Sequence, residues 1–204
     1  MAVLLRISVV IDFINEWMGR IFLWLILLAV IVGAGNAVIR KIIFLIPAAW
    51  ASVEGSFFYW VQKFYITYAN RWLEAQSYMF SIVFLLMGGY TLLYNRHVRV
   101  DLLYTRYSPR TKAILNLVGS LLFLLPTAFC IVYFSWPQLV ESYHIREMSS
   151  DAGGLPRWPI KLMIPVGFAL LVLQALSEAI KNAAFLAGKY KFKNDHEEAE
   201  GEVV

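Results

Sequence analysis

The sequence predicts an all-α integral membrane protein with four transmembrane helices, and three observations carry that prediction. Uncharged apolar runs occupy residues 21–39, 77–94, 113–140 and 162–177. Each is bordered by charge: Arg20 and Arg40, Glu74 and Arg96, Lys112 and Glu141, Lys161 and Glu178. None alternates with the period of two expected of a barrel strand, and only helices and closed barrels satisfy their backbone groups in lipid. A hydrocarbon core of about 30 Å takes roughly 20 mostly apolar helical residues. The first three runs meet or approach that length. The fourth is short, but Lys161 can snorkel and the helix can continue through Ile180. Spans are therefore expected at about 21–39, 77–94, 113–136 and 160–180, in a single domain over residues 1–188. Residues 189–204 read as a charged, disordered tail.

Composition agrees with this class. Sixty per cent of the 204 residues are hydrophobic and 16% charged, and seven Trp and eleven Tyr supply rings of the kind that gather at membrane interfaces. The net charge of +4 is small and scattered, which suits loops facing an anionic leaflet and argues against nucleic acid. The single cysteine, Cys130, excludes an intramolecular disulfide and reads as a small buried apolar residue.

Before the first span, Ile7, Ile11, Ile14, Met18 and Ile21 recur at helical spacing, while Asp12, Asn15, Glu16 and Gly19 fall elsewhere. This amphipathic lead-in either lies on the membrane surface or extends the span. The first apolar run is long for a signal-peptide core and leads straight into Arg40 and Lys41, so it is expected to stay as an anchor. Between the first two spans, Val61, Phe64, Tyr65, Tyr68 and Trp72 form a helical stripe opposite Gln62, Lys63, Thr67 and Asn70. Glu54, Lys63 and Arg71 interrupt this stretch, which makes it an aromatic interfacial helix rather than a fifth span. In the third span Pro126 lacks a donor and should kink the helix near Leu122. Gly88, Gly89 and Gly119 allow close helix approach.

Catalytic chemistry is not expected. The span cores carry no ionisable residue, and Asn36, Asn116 and Gln174 are their strongest polar groups, each suited to interhelical hydrogen bonding. His144 and Glu147 do not complete a metal site, no nucleophile has a base partner, and no phosphate-binding glycine loop occurs. No cofactor is implied.

Two segments carry more information. One runs from Gly88-Gly89-Tyr90 through His97-Val98-Arg99-Val100-Asp101 to Ser108-Pro109-Arg110; the other from Ser149-Ser150-Asp151 through Gly153-Gly154-Leu155-Pro156-Arg157-Trp158-Pro159 into Leu173-Gln174 and Ser177-Glu178. Both resemble the small membrane subunit, the DctQ-like or Q subunit, of TRAP transporters, the tripartite ATP-independent periplasmic carriers. Asn36 to Arg40 and Glu74 also resemble the family pattern, over residues 15–185 as a whole; the long 42–72 stretch departs from it. The resemblance implies a non-enzymatic scaffold in the bacterial inner membrane. Its partners would be a large TRAP membrane subunit that imports an organic acid by sodium symport, a periplasmic substrate-binding protein, and phospholipids. A self-sufficient small oligomeric carrier or channel is the competing reading.

Two sets of site residues follow. His97, Arg99, Asp101, Arg106, Glu74 and Arg40 are expected at the large-subunit interface. An anionic lipid surface would repel Asp101, so a basic group is its expected partner: Arg99, Arg106 or one on the large subunit. Gly153, Gly154, Pro156, Arg157, Trp158 and Pro159 are expected to form a shaped periplasmic turn that caps the fourth span or docks the binding protein.

Four spans put both termini on one side. Eleven basic residues then share that side with the termini, against seven opposite, with five of the eleven in the 96–112 loop. The positive-inside rule makes the termini and that loop cytoplasmic. In a Cys130→Ala background, an impermeant thiol reagent added from the periplasm should label a cysteine at Ser150 and spare one at Asn95; the opposite pattern would invert the topology.

Overall fold

The computed structural model describes residues 2–47, 50, 53–95, 104, 106–151 and 153–190. It contains four helices long and apolar enough to cross a membrane: Ala2–Leu45, Phe57–Leu93, Pro109–His144 and Trp158–Leu186. Helix α1, Ala2–Leu45, is unbroken, so the lead-in and the first span are one rod of about 66 Å at 1.5 Å per residue. Ile46 bends away and Pro47 follows. Helix α2, Phe57–Leu86, starts at Ser56, whose hydroxyl accepts the Tyr59 N–H at 3.1 Å, the bond expected of an N-cap. The aromatic stripe and the second span share this helix, which passes through Met87 into the short α3, Gly88–Leu93. Asn95, at φ 58°, turns the chain away.

Helix α4, Pro109–Gly119, has Ser108 as N-cap and proline at its first position, where a missing N–H costs nothing. A π turn over Ser120–Leu124 joins it to α5, Leu125–His144. The π turn is centred on Leu122, the residue whose carbonyl the Pro126 ring would strike in a regular helix. Helix α6, Trp158–Leu186, ends in a Schellman motif. Gly188 sits at φ 70°, and the N–H groups of Gly188 and Lys189 bond the carbonyls of Phe185 and Ala184.

Two compact units are present. One comprises residues 1–20, 85–136 and 164–204, the other 21–84 and 137–163. The first unit is held by a polar seam between the start of α1 and the second half of α6. Ser8, Asp12 and Asn15 lie one turn apart along α1, as Gln174, Ser177 and Lys181 do along α6. Asn15 donates to Gln174 Oε1 at 2.9 Å, and Gln174 Nε2 donates to Asp12 at 2.9 Å. The Ser177 hydroxyl meets Asp12 at 2.7 Å and Ser8 at 2.6 Å. Lys181 bridges Asp12 at 2.8 Å and Glu178 at 2.6 Å. Close approach makes the seam possible. The side-chain carbonyl of Asn15 lies 2.1 Å from where a Cβ on Gly89 would stand, and a Cβ on Gly167 would stand 2.4 Å from the Leu85 carbonyl.

In the second unit the Tyr65 hydroxyl donates to Asn36 at 2.9 Å, and Gly33 lets Gln76 approach to 2.3 Å of its absent Cβ position. Across both units the fully buried side chains are polar or small, Gln174, Asn15, Ser8, Ser142 and Ser177 among them, with a few aliphatic residues such as Ile11, Ile43 and Leu86 nearly buried, whereas Phe13, Trp17, Trp24, Phe84 and Phe123 are exposed. That inversion suits a lipid solvent, in which polar groups pair inward and apolar ones need no shelter. Two expectations are corrected. Cys130 is exposed, because the outer face of a helix in lipid accepts a small apolar side chain as readily as a core does. A Cβ on Gly119 would meet nothing within 4 Å, so this glycine serves no close contact among the described residues.

The seam should dominate the stability of its unit. Hydrogen bonds between membrane helices average about 0.6 kcal/mol each. Gln174→Leu, which removes several and leaves the Asn15 amide only the Ile11 carbonyl, should cost roughly 1–2 kcal/mol. Asn36→Leu, which removes one, should cost about 0.6 kcal/mol. Unfolding in mild detergent should rank the variants in that order.

Candidate functional site

The most constructed surface feature is the hairpin turn between α5 and α6. It begins where Arg146, at φ 50°, takes the left-handed position of a Schellman motif. Its N–H bonds the Tyr143 carbonyl at 3.2 Å, and the Glu147 N–H bonds the Ser142 carbonyl at 3.0 Å. Met148 then pairs antiparallel with Pro156. The Ser149 N–H bonds the Leu155 carbonyl at 3.0 Å, and the Arg157 N–H returns to Glu147 at 2.9 Å. The tip closes through a 3.0 Å bond from the Gly154 N–H to the Asp151 carbonyl.

One face of α2 grips this hairpin. Arg71, Glu74 and Tyr78 fall at i, i+3 and i+7, so they project along one side. The Arg71 Nε donates to the Gly153 carbonyl at 2.6 Å. The Glu74 carboxylate accepts the Leu155 N–H at 2.5 Å on one oxygen and the Ser149 hydroxyl on the other. The Tyr78 hydroxyl donates to the Pro156 carbonyl at 3.2 Å. Bonds to a charged group each contribute about 1.5–3 kcal/mol, so Glu74 is the strongest point of the grip. Both glycines are demanded by it. Gly153 has φ 70° and lies against the Thr67 carbonyl, while a Cβ on Gly154 would fall 2.5 Å from the Ser149 Cβ and 2.9 Å from the Glu74 oxygens.

At the base, Lys161 pairs with Glu147. That ammonium holds the Glu147 carboxyl below the usual carboxylate range. Trp158 stands edge-on to Tyr143, ring centroids 5.6 Å apart. Beside them lies a cavity of about 480 Å³ lined by Tyr143, His144, Arg146, Met148, Pro156 and Trp158. Arg157 is exposed, and Pro159 sits in the first turn of α6. This arrangement presents a stiff surface bearing two arginines and an aromatic pair.

The structure thus brings Gly153, Gly154, Pro156, Arg157, Trp158 and Pro159 together and adds Glu74, whose two oxygens are both engaged within the chain. Arg40 is exposed, with its guanidinium 5.9 Å from the Phe44 ring, and Arg106 is exposed. His97, Arg99 and Asp101 lie outside the described residues. Sequence reasoning missed Arg71 and Tyr78. Their signal was the spacing from Glu74 along one helix face.

Removing the Glu74 carboxylate by Glu74→Ala should cost about 2–4 kcal/mol locally. The readout is faster amide hydrogen exchange at Leu155, with Gly154→Ala behaving alike by collision. Acid should loosen the base of the turn. Because the folded-state value of Glu147 is depressed, its pairing is complete above the ordinary value of 4.5 and is lost as pH falls below it. Exchange of the Arg157 amide should accelerate over that acid range, and Glu147→Gln should remove this pH dependence.

Among curated proteins and among solved structures nothing matches the chain. A family model does: "Tripartite ATP-independent periplasmic transporters, DctQ component" matches residues 65–185. The match starts within the aromatic part of α2, later than residue 15 where the resemblance began, and covers the remaining three long helices from there together with the gripped turn. With four membrane-spanning helices and this match over more than half of its length, the chain belongs to the DctQ family, the small membrane subunits of TRAP transporters.

Proposed function

We propose that this subunit braces a large TRAP permease in the bacterial inner membrane, with both termini cytoplasmic, while the permease imports an organic acid delivered by a periplasmic binding protein and driven by a sodium gradient. The family match carries the reading. What supports a bracing rather than a transporting role is the use of the polar groups. Gln174, Asn15, Asp12 and Lys181 bond one another, and Asn36 bonds Tyr65, so these groups are committed to holding helices together. Carriers instead leave such groups, or broken helices, to replace the hydration of solute and ion.

Two contact regions follow from the same reading. The 147–158 turn, stiffened by Glu74, faces the periplasm and meets the binding protein through Arg157 and Trp158. On the cytoplasmic side, Asp101, with His97, Arg99 and Arg106, joins the large subunit through a partly desolvated ion pair, whose disruption costs a few kcal/mol where an exposed pair costs about one or less.

Purified chain in liposomes should show no sodium-driven uptake until the large subunit and loaded binding protein are added. Robust uptake by the chain alone would favour the self-sufficient carrier. Asp101→Lys should reduce co-purification of the large subunit, and Asp195→Lys should not. Trp158→Ala and Arg157→Glu should slow uptake by the assembled system without dissociating it; unchanged kinetics would leave the turn a structural cap.

A further inference from the structure

We propose that the groove between α1 and the aromatic half of α2 is a binding site for one anionic phospholipid, with an acyl chain in the groove and the phosphate at Lys63 and Arg40. The groove encloses about 490 Å³ and is walled by Ile39 and Ile43 on α1 and by Trp60, Phe64 and Trp72 on α2. That volume falls in the range of roughly 300–1,000 Å³ typical of small-molecule sites. Its two polar side chains, Asn36 and Tyr65, are bonded to each other, so they present a satisfied pair to an apolar occupant. Gly35 also lines the groove, and a Cβ there would meet nothing within 4 Å. Part of the groove's room is the space a side chain at this position would fill.

Charge on two residues that flank the groove without lining it selects the occupant. The Lys63 ammonium lies 5.7 Å from the ring of Trp60, a wall of the groove, and 5.4 Å from that of Tyr59. Arg40 follows Ile39 and stacks toward Phe44. Among the described residues neither cation meets a carboxylate; their contacts are aromatic rings and, for Lys63, the Tyr59 hydroxyl at 3.4 Å. Rings of this kind mark headgroup depth, where a lipid phosphate supplies the missing negative charge. A partner helix, about 10–12 Å across, could cover the groove but not enter it, whereas an acyl chain is narrow enough to lie within.

The test uses the full chain in mild detergent, with phosphatidylglycerol or phosphatidylcholine added and retained lipid counted by native mass spectrometry. One phosphatidylglycerol per chain should be retained, about tenfold more tightly than phosphatidylcholine, as expected for two cations near a headgroup. Gly35→Leu, which favours the helix and fills the groove, should weaken both lipids about tenfold at unchanged helix content. The double variant Arg40→Gln with Lys63→Gln should lose the preference but keep phosphatidylcholine retention. Equal retention by wild type and Gly35→Leu would overturn the site. So would loss of the large subunit from the Gly35→Leu complex with lipid retention unchanged, since a protein would then be the occupant. The first result does not depend on whether this chain braces a permease.

Discussion

In hydrocarbon a polar group has no water to turn to, so it is driven to find its partner within the protein, and among the described side chains only the Asn15 Oδ1 and the Ser142 hydroxyl are buried without one. The rest of this structure follows from that constraint. Ser8, Asp12 and Asn15 on α1 would be a costly stripe on a lipid-facing helix. Facing Gln174, Ser177 and Lys181 on α6, they become an adhesive instead. Lys181 is set between two carboxylates, and the charges are retained because they are shared. Apolar side chains have no such need, and many of the large ones, Trp24, Phe84 and Phe123 among them, lie outward.

The same logic governs the turn between α5 and α6. A loop leaving a helix carries backbone groups that require partners, and α2 supplies them from Arg71, Glu74 and Tyr78. The grip converts a Gly- and Pro-containing connection into a fixed shape, with Gly154 leaving room for the Glu74 carboxylate and Gly153 taking a positive φ against the Thr67 carbonyl. A shape fixed at this cost in sequence freedom suits a surface that another protein must recognise.

Much of the fold was legible from the residues. Charge-bordered apolar runs located four spans, Pro126 located the disturbance at Leu122, and the Gly- and Pro-rich segment located the shaped turn. Helix limits were less legible. Asp12 and Glu16 look like surface residues, and Lys63 and Arg71 look like interruptions, yet α1 and α2 run through them. Local charge does not break a helix when the side chain finds a partner or reaches the headgroup region. Cys130 was misplaced by a rule drawn from water-soluble cores, which has no force where both faces of a helix are apolar.

By itself the sequence determined the membrane class, the number of spans and the family, because these depend on composition and local order along the chain. Only the tertiary structure decided which polar residues meet. Asn15 and Gln174 are 159 positions apart, and Glu74 lies 75 and 81 positions from its partners at Ser149 and Leu155. A periodic pattern shows that a helix has a polar face, but it cannot say which other face completes it. Hydrogen-bond partners are chosen by helix packing, and helix packing is set by shape over the whole chain.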